Sequence, residues 1–227
     1  MSLKNWKVTC HLLSPLCGDP PMLDALMEYE LSLRLGMKYA RKLTRSIPLS
    51  NIDRPPIPVS RRTLRGIDYY CSSNPILGNV KAEYIEQQAK RFDTDMCALL
   101  LDQKSSSTML LTSSGPYKSR FVKKRVRLVD TVTWFVRGDR KEMNKLLKKF
   151  VALGHCRGYG YGFIDRWEYE EQPSDYSIFA PNNGGRVLMR TVAFEAARDS
   201  TGYRRSFGGA FPPYWHPDTF MEIAVPC

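Results

Sequence analysis

The stretch RLVDTVTWFVRGDRKEMNKLLKKFVALGHCRGYGYGF, residues 127–163, decides the fold of this 227-residue chain. From Arg127 to Arg137 the side chains alternate. Leu128, Val132, Trp134 and Val136 share one face, interrupted by Asp130, and Arg127, Thr131, Thr133 and Arg137 take the other with Val129 and Phe135. A period of two is that of a strand with one buried face. Gly138-Asp139 turns the chain, and Asp139 can cap a following helix, with Glu142 completing a capping-box-like pair. Met143, Leu146, Leu147, Phe150 and Val151 form that helix's apolar stripe, while Lys141, Lys145, Lys148 and Lys149 populate its other sides. A glycine-rich loop ends the helix. Residues 163–170 then alternate as a strand, with Phe163, Trp167 and Tyr169 on one face.

Outward from there, residues 6–13 alternate in the same way, with Trp6, Val8, Cys10 and Leu12 inward and Lys7, Thr9, His11 and Leu13 outward. Gly18-Asp19-Pro20-Pro21 breaks this strand, and Asp19 with a following proline reads as a helix start. Met22, Leu26, Tyr29 and Leu33 recur at helical spacing before Gly36 offers a stop. Strand–helix at the start and strand–helix–loop–strand later are the halves of a split βαβ unit. The expected class is therefore α+β, with a ferredoxin-like (RRM-like) core over residues 1–171. An insertion at about residues 44–117 supplies the second strand. Within it, residues 57–71 read as extended, residues 83–91 as a short helix and residues 109–111 as an apolar strand between serine-rich loops. Residues 172–227 carry turn signals and little periodicity, which predicts an irregular extension packed on the core or on a partner.

The chain has 34 Lys and Arg against 23 Asp and Glu, a net charge of +11. Between Lys118 and Lys149 twelve basic residues face three acidic ones, so nearly all of the excess sits in one segment. A surface that merely keeps a protein soluble mixes its signs, whereas clustering of this kind suits a polyanion. No run approaches the roughly 20 apolar residues of a membrane span, and residues 1–7 lack a signal-peptide core, which points to a cytoplasmic protein without a membrane partner. The six cysteines form no CxxC pair and the three histidines are dispersed. Reduced, mostly buried thiols are expected, with no metal and no cofactor. No lysine follows the glycines in a GK[ST] pattern, so a Walker A loop is excluded.

The loop itself, residues 153–163, holds four glycines with His155, Arg157, Tyr159 and Tyr161. Glycine leaves backbone bare enough to lie against phosphates, tyrosine can stack on an unpaired base, and arginine can meet its phosphate. The outward residues Lys7, Thr9, His11, Arg127, Thr131, Thr133 and Arg137 suit phosphate and 2′-OH contact. Aromatic RNP motifs are not evident, which argues against an ordinary RNA-recognition motif.

The order of elements, with Gly158-Tyr159-Gly160-Tyr161-Gly162 directly after the second helix, resembles the RAMP superfamily of CRISPR-associated RNA-binding proteins. Three more segments sharpen the likeness: MLDALMEYE at residues 22–30, IPVSRR at residues 57–62, and PYWHP at residues 213–217 with a closing AVP at 224–226. Together they are similar to the subunit of type IV CRISPR effector complexes that binds the 5′ handle of the guide RNA. The resemblance implies a non-catalytic subunit that caps one end of a ribonucleoprotein. Its partners would be the guide RNA (crRNA), the backbone and large subunits and, through the complex, target DNA. Carried onto this chain, RNA binding falls to Arg157, Gly158, Tyr159, Gly160, Tyr161 and Gly162, with Lys118, Arg120, Lys123, Lys124, Arg125, Arg127, Arg61 and Arg62. The alternative is a metal-independent endoribonuclease that processes precursor guide RNA with His11 or His155 as base. About 65 residues follow Gly162, whereas the processing enzymes of this superfamily typically carry the loop near the C-terminus. An adaptor for an anionic surface or a protein partner, with no RNA role, is the third reading. Tyr214-Trp215-His216-Pro217 reads as a packed tail rather than a stacking site.

Overall fold

The computed structural model describes residues 3–35, 49, 54–90 and 118–227. Gly36, Cys97 and the expected strand at 109–111 lie outside them. The first alternation gives β1 (Lys4–Leu12), with Trp6, Val8 and Cys10 buried and Lys7, Thr9 and His11 outward. A two-residue β2 (Leu16–Cys17) and helix α1 (Leu23–Arg34) follow. β3 (Arg61–Leu64) and β4 (Ile67–Tyr70) make a hairpin whose turn residues Arg65 and Gly66 both have positive φ. Next come β5 (Ile76–Leu77), β6 (Val80–Lys90), β7 (Arg120–Val129) and β8 (Thr131–Gly138), then helix α2 (Arg140–Leu147) and β9 (Ile164–Glu171).

The main sheet runs in the order β5-β8-β1-β9, with every neighbouring pair antiparallel. α1 and α2 pack against each other over one face of it. Leu23 and Met27 from α1 and Met143, Leu146 and Leu147 from α2 meet Val8, Cys10, Val132, Trp134 and Val136 from the strands. Each such side chain contributes about 1.5–3 kcal/mol by leaving water. Helices on one face of an antiparallel sheet define an α+β protein.

The expected single strand at residues 127–137 is two strands. Asp130 lies between β7 and β8, and the chain passes there from one sheet to another. The alternation resets at that point, so Val129 is buried and Leu128 is exposed. α1 is rotated from its expected face: Leu23, Asp24 and Met27 point inward, while Tyr29 and Leu33 are exposed. Asp19 does not cap it, because Met22 holds the N-cap position and the Asp19 carboxylate reaches Arg127 instead, at 2.9 Å. Asp139 does cap α2, accepting from the amides of Lys141 and Glu142. The helix ends at Leu147, which leaves Val151 exposed, and Phe163 precedes β9 on the outside.

Residues 83–91, expected as a helix, belong to β6 as far as Lys90. There they pair with β7 from Val80↔Val129 to Lys90↔Arg120. β2-β7-β6 is a separate three-stranded sheet, most of it a two-stranded ribbon. The C-terminal segment is also more regular than expected. It contains the hairpin β10 (Phe179–Asn182) and β11 (Gly185–Leu188), and a sheet of β12 (Val192–Ala193), β14 (Phe220–Pro226) and β13 (Tyr203–Gly209). These strands build a second core, where Ile178, Leu188, Val192 and Ile223 enclose Tyr69 and Cys71 from the segment after β3.

Candidate nucleic-acid interface

Alternation along β6 and β7 gives the ribbon two faces. On one, Lys124 stands opposite Glu86 and Val122 opposite Gln88; on the other, Lys123, Arg125 and Arg127 stand opposite Gln87, Ile85 and Glu83. The first face meets the glycine loop. Tyr161 donates its hydroxyl to Glu86 Oε2 at 2.7 Å. Lys124 Nζ donates to Gln88 Oε1 at 2.6 Å and to Cys156 Sγ at 2.7 Å, with the Tyr159 ring centroid 5.8 Å away. That bond to Cys156 raises the ammonium above the ordinary lysine range. The carboxylate of Glu86 likewise raises the Tyr161 phenol.

The loop is stitched to the chain around β2. Gly162 N donates to Pro15 O and His155 N to Cys17 O, both at 2.8 Å, and Leu153 N returns to Gly162 O. A 3₁₀ turn, Arg157–Tyr159, forms the crest. There Tyr159 N bonds to Cys156 O and Gly160 N to Arg157 O. The amides of His155, Tyr159, Gly160 and Gly162 are thus satisfied within the protein. Outward the loop presents Arg157 and Gly158, both exposed, and Tyr159, which is 76% exposed. The bonds to Pro15 and Cys17 make the loop a buckle that displays an arginine, a tyrosine and the bare backbone of Gly158 between them.

Between loop and ribbon lies a cleft of about 440 Å³, lined by Cys17, Gly18, Val122, Lys123, Lys124, Arg125, His155 and Cys156. The His155 ring lies over Gly18, where an added Cβ would come within 2.1 Å of the imidazole. Across His155 a second cleft of about 240 Å³ reaches Tyr29, Leu26 and Arg157. Lys123, Lys124, Arg125 and His155 thus border the first cleft and Arg157 the second, with His155 shared between them and the Tyr159 ring beside Lys124. A phosphate finds cations in this region, and an adjacent base finds an aromatic face. Lys118 and Arg120 are exposed at the start of the basic strand.

Arg127, expected beside these cations on an open face, is mostly buried and paired with Asp19 and with Glu83 at 2.8 Å. Burial alone would lower its guanidinium, and the two carboxylates more than offset this and raise it. It holds the ribbon's base and is not available to a ligand. Arg61 stacks on the Tyr70 ring, 4.8 Å from its centroid, and donates to the Tyr70 hydroxyl. It and the exposed Arg62 sit on the β3–β4 hairpin, which shares no strand pairing with the ribbon.

His11 stands on the open face of the main sheet, 2.7 Å from Glu168, beside pairs Lys7–Glu170 and Lys4–Glu171. Along the β1–β9 pairing, Glu170 stands opposite Lys7, while Glu168 stands opposite Thr9 and reaches across to His11. His216 is buried, its Nδ1 accepting from the Asp218 amide, in keeping with a packed tail. The sequence reading missed Cys17, Cys156 and Glu86. Glu86 carries no signal of its own in the sequence, because only the pairing of β6 with β7 sets it opposite Lys124.

Among the described residues no group of three or more His, Cys, Asp or Glu is gathered to hold a metal, and no helix is long and apolar enough to cross a membrane. No protein-family model matches the chain, and no curated protein matches it.

Proposed function

We propose that this protein is a non-catalytic RNA-binding subunit of a CRISPR ribonucleoprotein complex, gripping the 5′ handle of the guide RNA at one end of the assembly. The observation that carries the RNA-binding part is the cleft between ribbon and loop, bordered by Lys123, Lys124, Arg125 and His155, with the exposed Tyr159 ring beside Lys124 and Arg157 in the adjoining cleft across His155. The strand order β5-β8-β1-β9 with two helices on one face supports reading the core as ferredoxin-like, with β5 as its short second strand. The CRISPR assignment rests on the sequence resemblance. It makes guide RNA and the neighbouring effector subunits the partners, and target DNA a contact of the whole complex.

The test is titration of a fluorescent repeat-derived RNA over a range of salt concentrations. Arg157→Ala, and Lys123→Ala with Arg125→Ala, are expected to weaken binding. Each phosphate contact removed should lower the slope of log K against log salt by about 0.7–0.9. Arg62→Ala, on the separate hairpin, serves as the comparison. Wild-type affinity and slope in both ribbon and loop variants would refute the reading. Metal-independent cleavage is the second reading, favoured by His155 in the wall of the basic cleft. Incubation with repeat RNA in EDTA decides it. Product formation that disappears in His155→Ala or His11→Ala would make the protein a nuclease.

A further inference from the structure

Two cysteines border the basic cleft: Cys17, which ends β2, and Cys156 in the glycine loop. Three features hold the two segments together. His155 N bonds to Cys17 O at 2.8 Å. Gly154 lies so close that an added Cβ would come within 2.6 Å of the same carbonyl. Cys156 itself takes the left-handed conformation, φ 57°, at the start of the 3₁₀ turn, which fixes the direction of its side chain. The Cys156 sulfur also receives the Lys124 ammonium at 2.7 Å. The cleft opens on both residues, with Cys156 partly exposed and Cys17 buried behind it. Among the other described cysteines, Cys10 and Cys71 are buried in the two cores and Cys227 is exposed at the C-terminus.

We propose that Cys156 is a site of oxidation by peroxide, and that Cys17 resolves it into a reversible disulfide. A peroxide oxygen is transferred to the Cys156 sulfur: the O–O bond breaks, an S–O bond forms, and the thiol proton leaves with the first water. The Cys17 sulfur then attacks the sulfenic sulfur. An S–S bond forms, the S–O bond breaks, and hydroxide leaves with the Cys17 proton as the second water. Two thiols are oxidised by two electrons and one hydrogen peroxide is reduced to two waters. The order follows from access and charge. Cys156 borders the opening and lies beside an ammonium that offsets charge developing on its sulfur. Cys17 is the inner partner, and burial, with Cys156 beside it, pushes its thiol up to about 11. The reaction takes from Lys124 its sulfur acceptor as a thiol and ties the loop covalently to β2. None of this depends on the RNA-binding reading.

The experiment treats the reduced full-length chain with hydrogen peroxide, blocks remaining thiols and measures intact mass and linked peptides. The expected result is a loss of about 2 Da with a Cys17–Cys156 peptide pair, reversed by dithiothreitol. Cys156→Ser and Cys17→Ser should each abolish that pair, and Cys227→Ser should leave it unchanged. In Cys17→Ser the sulfenic acid at Cys156 should persist long enough for dimedone to trap it. An unmodified pair at peroxide levels that oxidise Cys227 would overturn the proposal. So would a link from Cys156 to any other cysteine, or a gain of about 14 Da marking an oxygen bridge from Cys156 to Lys124.

Discussion

At the scale of single residues, the glycine loop contains positions of very different consequence. Gly154, Gly160 and Gly162 have positive φ, and Gly158 does not. A Cβ at Gly162 would sit 2.1 Å from Leu153 O, at φ +68°, whereas one at Gly158 would meet nothing within 4 Å. Gly162→Ala must therefore break the Leu153–Gly162 bond or strain the backbone, and is expected to lower unfolding stability by about 2–4 kcal/mol. Gly158→Ala should change it by less than about 0.5 kcal/mol. Urea unfolding of both variants checks the contrast, and equal costs would show that the loop is not a buckle. The composition was legible in the sequence and identified the loop. Which glycine bears the conformation was not, since that depends on Pro15 and Cys17 about 140 residues upstream. The same holds for Arg127, whose partners Asp19 and Glu83 are distant in sequence and turn a surface cation into a buried one.

At the scale of elements, the long amphipathic strands and α2 were readable because each has its own period and, in α2, its own cap. Asp139 Oδ1 accepts from Lys141 N at 2.9 Å and Glu142 N at 3.2 Å, and its replacement by alanine should cost about 1 kcal/mol. The Glu142 side chain engages Lys145 at 2.6 Å and leaves the reciprocal half of the box open, so Glu142→Ala should cost under about 0.5 kcal/mol. Thermal unfolding of the two variants separates these. β6 was misread because its polar residues fit a helix as well as a ribbon edge, and only the long pairing with β7 decides between them. The pairing of β1 with β9 has a pH signature. Lys7 holds the Glu170 carboxyl below the ordinary carboxylate value of 4.5. The unfolded chain takes up this proton first as pH falls, so the pair's contribution is full above the ordinary value and is lost as pH drops through the folded one. Glu170→Gln should therefore flatten the acid side of the stability curve, seen in urea midpoints at about pH 5 and about pH 3. An unchanged acid limb would mean that the exposed pair contributes nothing.

At the scale of the whole molecule, two hydrophobic cores are joined by a fully buried ion pair. Arg190 Nη2 lies 2.8 Å from Asp24 Oδ2, and Tyr214 donates its hydroxyl to the same oxygen at 2.7 Å. Arg190 Nη1 also donates to Ser72 O. Burial alone would lower the guanidinium, but Asp24 and Tyr214 raise it, so it stays charged. Asp24 belongs to α1 on the first core, while Arg190 lies between β11 and β12 and Tyr214 between β13 and β14. The sequence could not reveal this, because the partners are 166 and 190 residues apart and β13 and β14, though seven residues each, do not alternate regularly. Asp24→Ala leaves a buried guanidinium without its counter-ion, and is expected to cost about 3–5 kcal/mol. Adding Arg190→Met removes the stranded charge, so the double variant should lose less than the sum of the two singles. Hydrogen exchange locates the effect. If the pair couples the cores, β13 and β14 amides should lose protection in Asp24→Ala while the β1–β8 ladder retains more of its own. Equal loss along both sheets would instead mean that the two cores unfold as one unit whether or not the pair is present, and that other contacts, such as Tyr69 in the second core, join them.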